Sequence, residues 1–123
     1  MKQHTNRFLT LVTAAKHRIV EITPQILKVK LELHESFSLI DVRDDSEWAS
    51  GHIPTAMHMS KGVIERDIEK IISDPCAQIV VYCSGGFRSA LVADSLKTMG
   101  YNQVCSLEHG LHGWIDAGYG IED

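Results

Sequence analysis

Ile79-Val80-Val81-Tyr82-Cys83-Ser84-Gly85-Gly86-Phe87-Arg88-Ser89 sets a thiol where a buried strand turns into a helix. The four apolar residues suit a strand covered by its neighbours, and the residues that follow the loop recur at helical spacing. Paired glycines let the backbone fold tightly around the sulfur. The first amides of a helix lack intrahelical partners and point at an anion. A sulfur ringed by such donors is favoured as a thiolate, which makes Cys83 a candidate nucleophile. Arg88 supplies a cation beside it.

Outward from this loop, strand and helix signals alternate. Upstream, Ile19-Val20-Glu21-Ile22 reads as a short strand, and Thr23-Pro24 as the cap and first position of a helix running to about Glu35. Phe37 to Arg43 reads as a covered strand with Asp41 and Arg43 gathered at its mouth. Asp44 to Gly51 forms a turn with a short helix carrying Glu47 and Trp48, and His52 to Met57 leads into a small strand. Val63, Ile64, Asp67, Ile68, Ile71 and Ile72 suit an amphipathic helix that Asp74-Pro75 ends. Downstream, a helix runs from Ser89 to Met99 with Gly100 as its cap, and Gln103 to Leu107 is another core strand. His109 to Gly113 reads as a loop, and a last short helix carries Trp114 and Ala117.

This alternation predicts an α/β fold, a central, mostly parallel sheet of about five strands with helices on both faces. Ligands in open sheets of that kind bind beyond the carboxyl ends of the strands. Cys83 and the Asp41-Arg43 end both fall there, so local chemistry and topology select one edge of the molecule.

Residues 1–18 read as a helical extension and residues 19–123 as the domain itself. Lys2 and Arg7 ahead of Phe8-Leu9-Thr10-Leu11-Val12 echo a signal peptide, but Phe8, Val12, Ala15 and Ile19 recur at helical spacing. That pattern predicts an amphipathic helix packed on the domain. The 123 residues suffice for one core, and a net charge of −4 offers no basic surplus for nucleic acid or anionic lipid. Three cysteines without regular spacing make no disulfide framework and fit a reducing, cytoplasmic setting, with Cys105 in the core and Cys76 at the surface or in a turn.

Two separated motifs carry a family resemblance. Asp41-Val42-Arg43, Glu47-Trp48 and Gly51-His52-Ile53-Pro54 with Ala56 form the first, and the loop Cys83 to Ser89 the second. From about Ile22 onward the chain resembles a single-domain rhodanese, a sulfurtransferase. The resemblance implies that thiolate Cys83 attacks the outer sulfur of a donor such as thiosulfate and forms a persulfide. The sulfur then passes to cyanide, a thiol or a sulfur-carrier protein, with no cofactor and no metal. It gives the amides of Ser84, Gly85, Gly86, Phe87, Arg88 and Ser89 the task of holding the sulfur, with hydroxyls of Ser84 and Ser89 adding donors or Ser89 capping the helix. Phe87 would narrow access, and Asp41, Arg43 and Glu47 would form one supporting charged network. Two positions depart from the pattern: His109 stands where the family has a glycine, and Gly120 where it has a proline.

Three other readings compete. A cysteine phosphatase or arsenate reductase would use an arginine-closed loop too, although such loops carry one more residue than the four between Cys83 and Arg88. A non-catalytic binding or regulatory module would need no nucleophile. Cys105, His109 and His112 form a candidate metal trio lacking a fourth ligand. A monomer is expected, with the N-terminal helix offering a route to a dimer.

Overall fold

The computed structural model describes residues 3–123, so Lys2 lies outside the described residues. In chain order the elements are α1 (Asn6–Lys16), β1 (Val20–Ile22), α2 (Pro24–Glu32), β2 (Ser38–Asp41), α3 (Asp45–Ala49), β3 (Met57–His58), α4 (Ile64–Asp67), β4 (Ile79–Tyr82), α5 (Phe87–Thr98), β5 (Val104–Leu107) and α6 (Gly110–Asp116). The five strands pair in parallel in the order β1-β5-β4-β2-β3. Parallel pairs need crossovers, and the helices supply them on both faces.

Central β4 is buried throughout and feeds both cores. Ile79 and Val81 pack with Ile64, Ile68, Val92 and Leu96 on the α4/α5 side, while Val80 and Tyr82 pack with Leu27, Leu107, Leu111 and Trp114 on the α2/α6 side. The period-2 alternation of a strand thus serves two apolar faces at once, which is why β4 has no polar residue. After β2 the chain moves outward to β3, and after β4 it moves the other way to β5. Crossovers leaving in opposite directions open a crevice at the carboxyl end of β4, where the Cys83 loop lies.

α1 packs on the domain. Val12 and Ala15 are buried, Arg18 forks onto Asp94 of α5 (2.8 and 2.7 Å), and Lys97 Nζ donates to the Arg18 carbonyl at 2.6 Å. No helix among the described residues is long and apolar enough to cross a membrane.

Helix boundaries differ from the sequence reading at α2, α4, α5 and α6. α2 starts as expected, Thr23 accepting the Ile26 amide at 3.2 Å, but stops at Glu32 rather than Glu35. His34 adopts φ 52°, and the amides of His34 and Glu35 bond back to the carbonyls of Leu31 and Lys30. That is a Schellman closure with histidine at the left-handed position. The expected helix over residues 63–72 is broken into α4 and a 3-10 turn, Ile68–Lys70. β-Branched isoleucines at 64, 68, 71 and 72 lose rotamer freedom in a helix, and the segment is held by burial of Ile64, Ile68 and Ile72 instead. α5 starts at Phe87, two residues early, so Ser89 lies within its first turn and does not cap it; the cap is Gly86, at φ 94°.

The segment His109 to Gly113 is not a loop, since α6 begins at Gly110. His109 and Gly110 are both left-handed, with φ 60° and 54°. They turn the chain so that the Leu111 and His112 amides donate to the carbonyls of Cys83 (2.8 Å) and Ser84 (3.0 Å). A Cβ on residue 110 would collide with the Cys83 carbonyl oxygen, so this close approach needs glycine.

Candidate active site

Tyr82 ends β4 fully buried, and the next residue, Cys83, is 1% exposed at the base of a cleft. The loop closes on its sulfur. The Gly86 amide donates to Sγ at 3.2 Å and the Ser89 amide at 3.3 Å. Gly86 reaches this position only with its positive φ, and a Cβ there would press on the His109 amide nitrogen at 3.1 Å. Phe87 and Arg88, also in the first turn of α5, have amides without intrahelical acceptors. The loop is therefore pinned from two sides, by its own amides on the sulfur and by α6 on its carbonyls.

Behind the sulfur lies a chain of buried hydroxyls. Ser89 Oγ is 3.5 Å from Sγ and 2.7 Å from Ser106 Oγ, and both serines are fully buried. With sulfur ionised, Ser106 donates to Ser89 and Ser89 to Sγ, so both hydroxyl hydrogens find acceptors. Ser106 escaped the sequence reading. Its signal was a lone hydroxyl at an inward position of β5, in register with Val81.

The expected single network of Asp41, Arg43 and Glu47 is two separate pairs. Glu47 belongs to the loop. Arg88 forks onto it at 2.7 and 2.9 Å, and Ser84 Oγ donates to Glu47 Oε2 at 3.0 Å while accepting from Arg88 at 3.2 Å. Ser84 thus serves the ion pair rather than the sulfur. The Arg88 fork, against a smaller opposing effect of burial, lowers the Glu47 carboxyl to about 2, aided by the Asp44 amide and Ser84. The same carboxylate raises the Arg88 guanidinium. Glu47 is placed by α3, where it also accepts the Asp44 amide at 3.1 Å in a capping box.

Asp41 and Arg43 instead form a buried fork (2.8 to 3.1 Å), and Arg43 also donates to the Gly51 carbonyl at 2.6 Å. They bolt down the turn after α3. His52 and His58 stack on the Trp48 ring at 3.7 and 5.0 Å, away from the sulfur. The Tyr82 hydroxyl, raised by burial, accepts the Ile53 amide at 3.1 Å.

Burial pushes the Cys105 thiol up to about 11. Cys76 is exposed, and all three cysteines are free. Cys105, His109 and His112 are not gathered; among the described residues no three such side chains could hold a metal ion.

Above the sulfur opens a cavity of about 1110 Å³. Arg88 and Glu47 line it with Ser84 and the exposed Gly85. His109 and His112 of the α6 segment line one side, and His4 and Phe8 from the N-terminal extension line it with Phe87. His109 and His112 were read from the sequence only as candidate metal ligands, and His4 and Phe8 not as site residues at all, because nothing local ties them to the loop.

Comparison with known proteins agrees with this picture. The model of the rhodanese-like domain matches residues 23–117. A protein of Bacillus subtilis (strain 168) assigned as the sulfurtransferase YtwF is 38% identical over 96 residues, 78% of this chain and 90% of that protein. The polysulfide-sulfur transferase homodimer of Wolinella succinogenes is 31% identical, with a TM-score of 0.80 over 95% of this chain and 88% of that one. RPA3614 of Rhodopseudomonas palustris, a protein of unknown function described as a possible tyrosine phosphatase, is 27% identical, with a TM-score of 0.82 and 99% of each chain covered.

Proposed function

Because this chain belongs to the rhodanese-like family of sulfurtransferases, we propose that Cys83 accepts a sulfane sulfur from thiosulfate and passes it on through a persulfide. The Cys83 thiolate attacks the outer sulfur, the donor's S–S bond breaks, and sulfite leaves with the electron pair. Cyanide then takes the terminal sulfur as thiocyanate and the thiolate returns; a small thiol or the thiol of a sulfur-carrier protein is the alternative acceptor. The observation that carries this reading is the convergence of the Gly86 and Ser89 amides on Cys83 Sγ at the floor of an accessible cavity. Donors already aimed at the sulfur need no reorganisation as charge moves along the S–S bond. Arg88 attracts the anionic donor and its leaving group. Three free thiols suit a reducing cytoplasmic compartment.

The description of RPA3614 keeps oxyanion chemistry in view, so the loop's size matters. Four residues separate Cys83 from Arg88, and the Gly86 amide within them and the Ser89 amide just beyond Arg88 close on the sulfur itself. This favours sulfur transfer over a phosphatase or arsenate reductase, whose loop must surround a tetrahedral anion. Intact mass of the reduced protein before and after thiosulfate, beside Cys83→Ser, tests the proposal. A gain of one sulfur, absent from the variant and discharged by cyanide, is expected. A reactive Cys83 that gains no sulfur would redirect the assignment to oxyanion chemistry, and an unreactive one to a binding module.

A further inference from the structure

The cavity over Cys83 is larger than its loop requires. At about 1110 Å³ it stands just above the range of about 300–1,000 Å³ that holds drug-sized ligands, and a thiosulfate ion at the loop leaves most of it unfilled. One wall comes from outside the residues matched by the family model. His4 and Phe8 meet Phe87 in a triangle of rings, with centroids 4.6 Å apart for His4–Phe87, 5.2 Å for His4–Phe8 and 6.3 Å for Phe8–Phe87. Lys16 Nζ sits 5.0 Å from the Phe87 centroid and steadies that ring. The Arg18–Asp94 fork and the buried Val12 and Ala15 fix α1 to the helix that begins with Phe87 and Arg88. An aromatic face is thereby held beside an anion-holding loop. The ligand complementary to both is anionic at its sulfur end and flat and apolar at the other.

We infer that the N-terminal extension is a recognition wall for organic sulfane-sulfur donors, aryl thiosulfonates being the class that fits, with Phe8 as the specificity-determining residue. This rests on the sulfurtransferase reading above. The Cys83 thiolate attacks the terminal sulfur of the thiosulfonate, the S–S bond breaks, and the aryl sulfinate leaves with the electron pair. A Cys83 persulfide remains, and cyanide removes its outer sulfur as thiocyanate. Thiosulfate follows the same balance with sulfite as leaving group, so the two donors differ chiefly in the group presented to the wall.

The test is the ratio of kcat/KM for benzenethiosulfonate to that for thiosulfate, with cyanide as acceptor. Wild type should favour benzenethiosulfonate, and Phe8→Ala should lower the ratio by about tenfold, the scale of one aromatic contact. Phe8→Tyr should retain the ratio, and His4→Ala, at the chain's start and clear of the α1 packing, should lower it by a smaller factor. Thermal melts of each variant separate loss of the ring from loss of α1 docking. A ratio unchanged across the variants, or a wild type that prefers thiosulfate, would overturn the inference while leaving sulfur transfer intact. If neither donor places a sulfur on wild-type Cys83, both readings fall.

Discussion

Two arginine–carboxylate pairs sit near the carboxyl ends of β2 and β4 with similar fork distances and opposite surroundings. The Asp41 and Arg43 side chains are 0% and 6% exposed, and the spare donor of Arg43 is spent on the Gly51 carbonyl. Glu47 and Arg88 are each 31% exposed, and both line the cavity over Cys83. A buried fork has no partner to exchange, so it holds structure. A fork at a wet rim can release its arginine to an incoming anion at small cost, because water solvates the carboxylate left behind. Burial, more than residue type, divides the two roles.

Breaking one partner in each pair should expose the difference. Arg43→Met leaves the buried Asp41 without its cation, which costs about 3–5 kcal/mol, so the variant should unfold at markedly lower urea or fail to accumulate. Asp41→Asn/Arg43→Met removes the charge while keeping an acceptor for the backbone amide of residue 43, which bonds Asp41 at 2.9 Å, and should recover much of the loss. A single variant as stable as wild type would erase the contrast.

Arg88→Met makes the same deletion at the rim. Stability should change by less than about 1 kcal/mol, because Glu47 meets solvent. Persulfide loading from thiosulfate should slow by about a hundredfold, the scale of losing one donor aimed at developing charge. Stopped-flow thiosulfate loading and urea melts on the same samples check both halves. A stability loss matching that of Arg43→Met would show the rim pair to be as structural as the buried one.

How far these roles were legible depended on whether the deciding contact was local. β4, the helix after Cys83 and the edge of the sheet carrying the site follow from an apolar run, a glycine pair and strand–helix alternation, all short-range. The pairing of Glu47 with Arg88 spans 41 residues and left no local trace. Helix ends make the same point. α5 and α2 close with the same back-bonds, but α5 uses Gly100, a residue that advertises a left-handed turn, whereas α2 uses His34, which does not. The start of α6 was placed too late for the same reason, its first turn being set by left-handed His109 and by carbonyls of Cys83 and Ser84 that only the folded chain brings near.

The smallest effect belongs to Glu47→Gln, which removes the charge and keeps the side chain's shape. The amide oxygen can still accept from the Asp44 backbone and one arm of Arg88, but the NH2 now stands where Oε2 accepted from Ser84 and the other arm, so the ionic part of the fork disappears together with those bonds. Arg88 holds the Glu47 carboxyl at about 2 against an ordinary value of 4.5. A lowered value in the folded state means stabilisation present above 4.5 and lost as pH falls through about 2. At pH 7 wild type should therefore exceed the variant by less than about 1 kcal/mol. Thermal melts should show that gap constant above 4.5, narrowing below it and closed near 2. At pH 7, about 1 M salt should shrink it as well, since a half-exposed pair is screened. The Asp41–Arg43 fork, present in both proteins and shut away from ions, cancels from the difference. A gap that ignored both acid and salt would place Glu47 with Asp41 as a buried support, and the division between the two pairs would lose its physical basis.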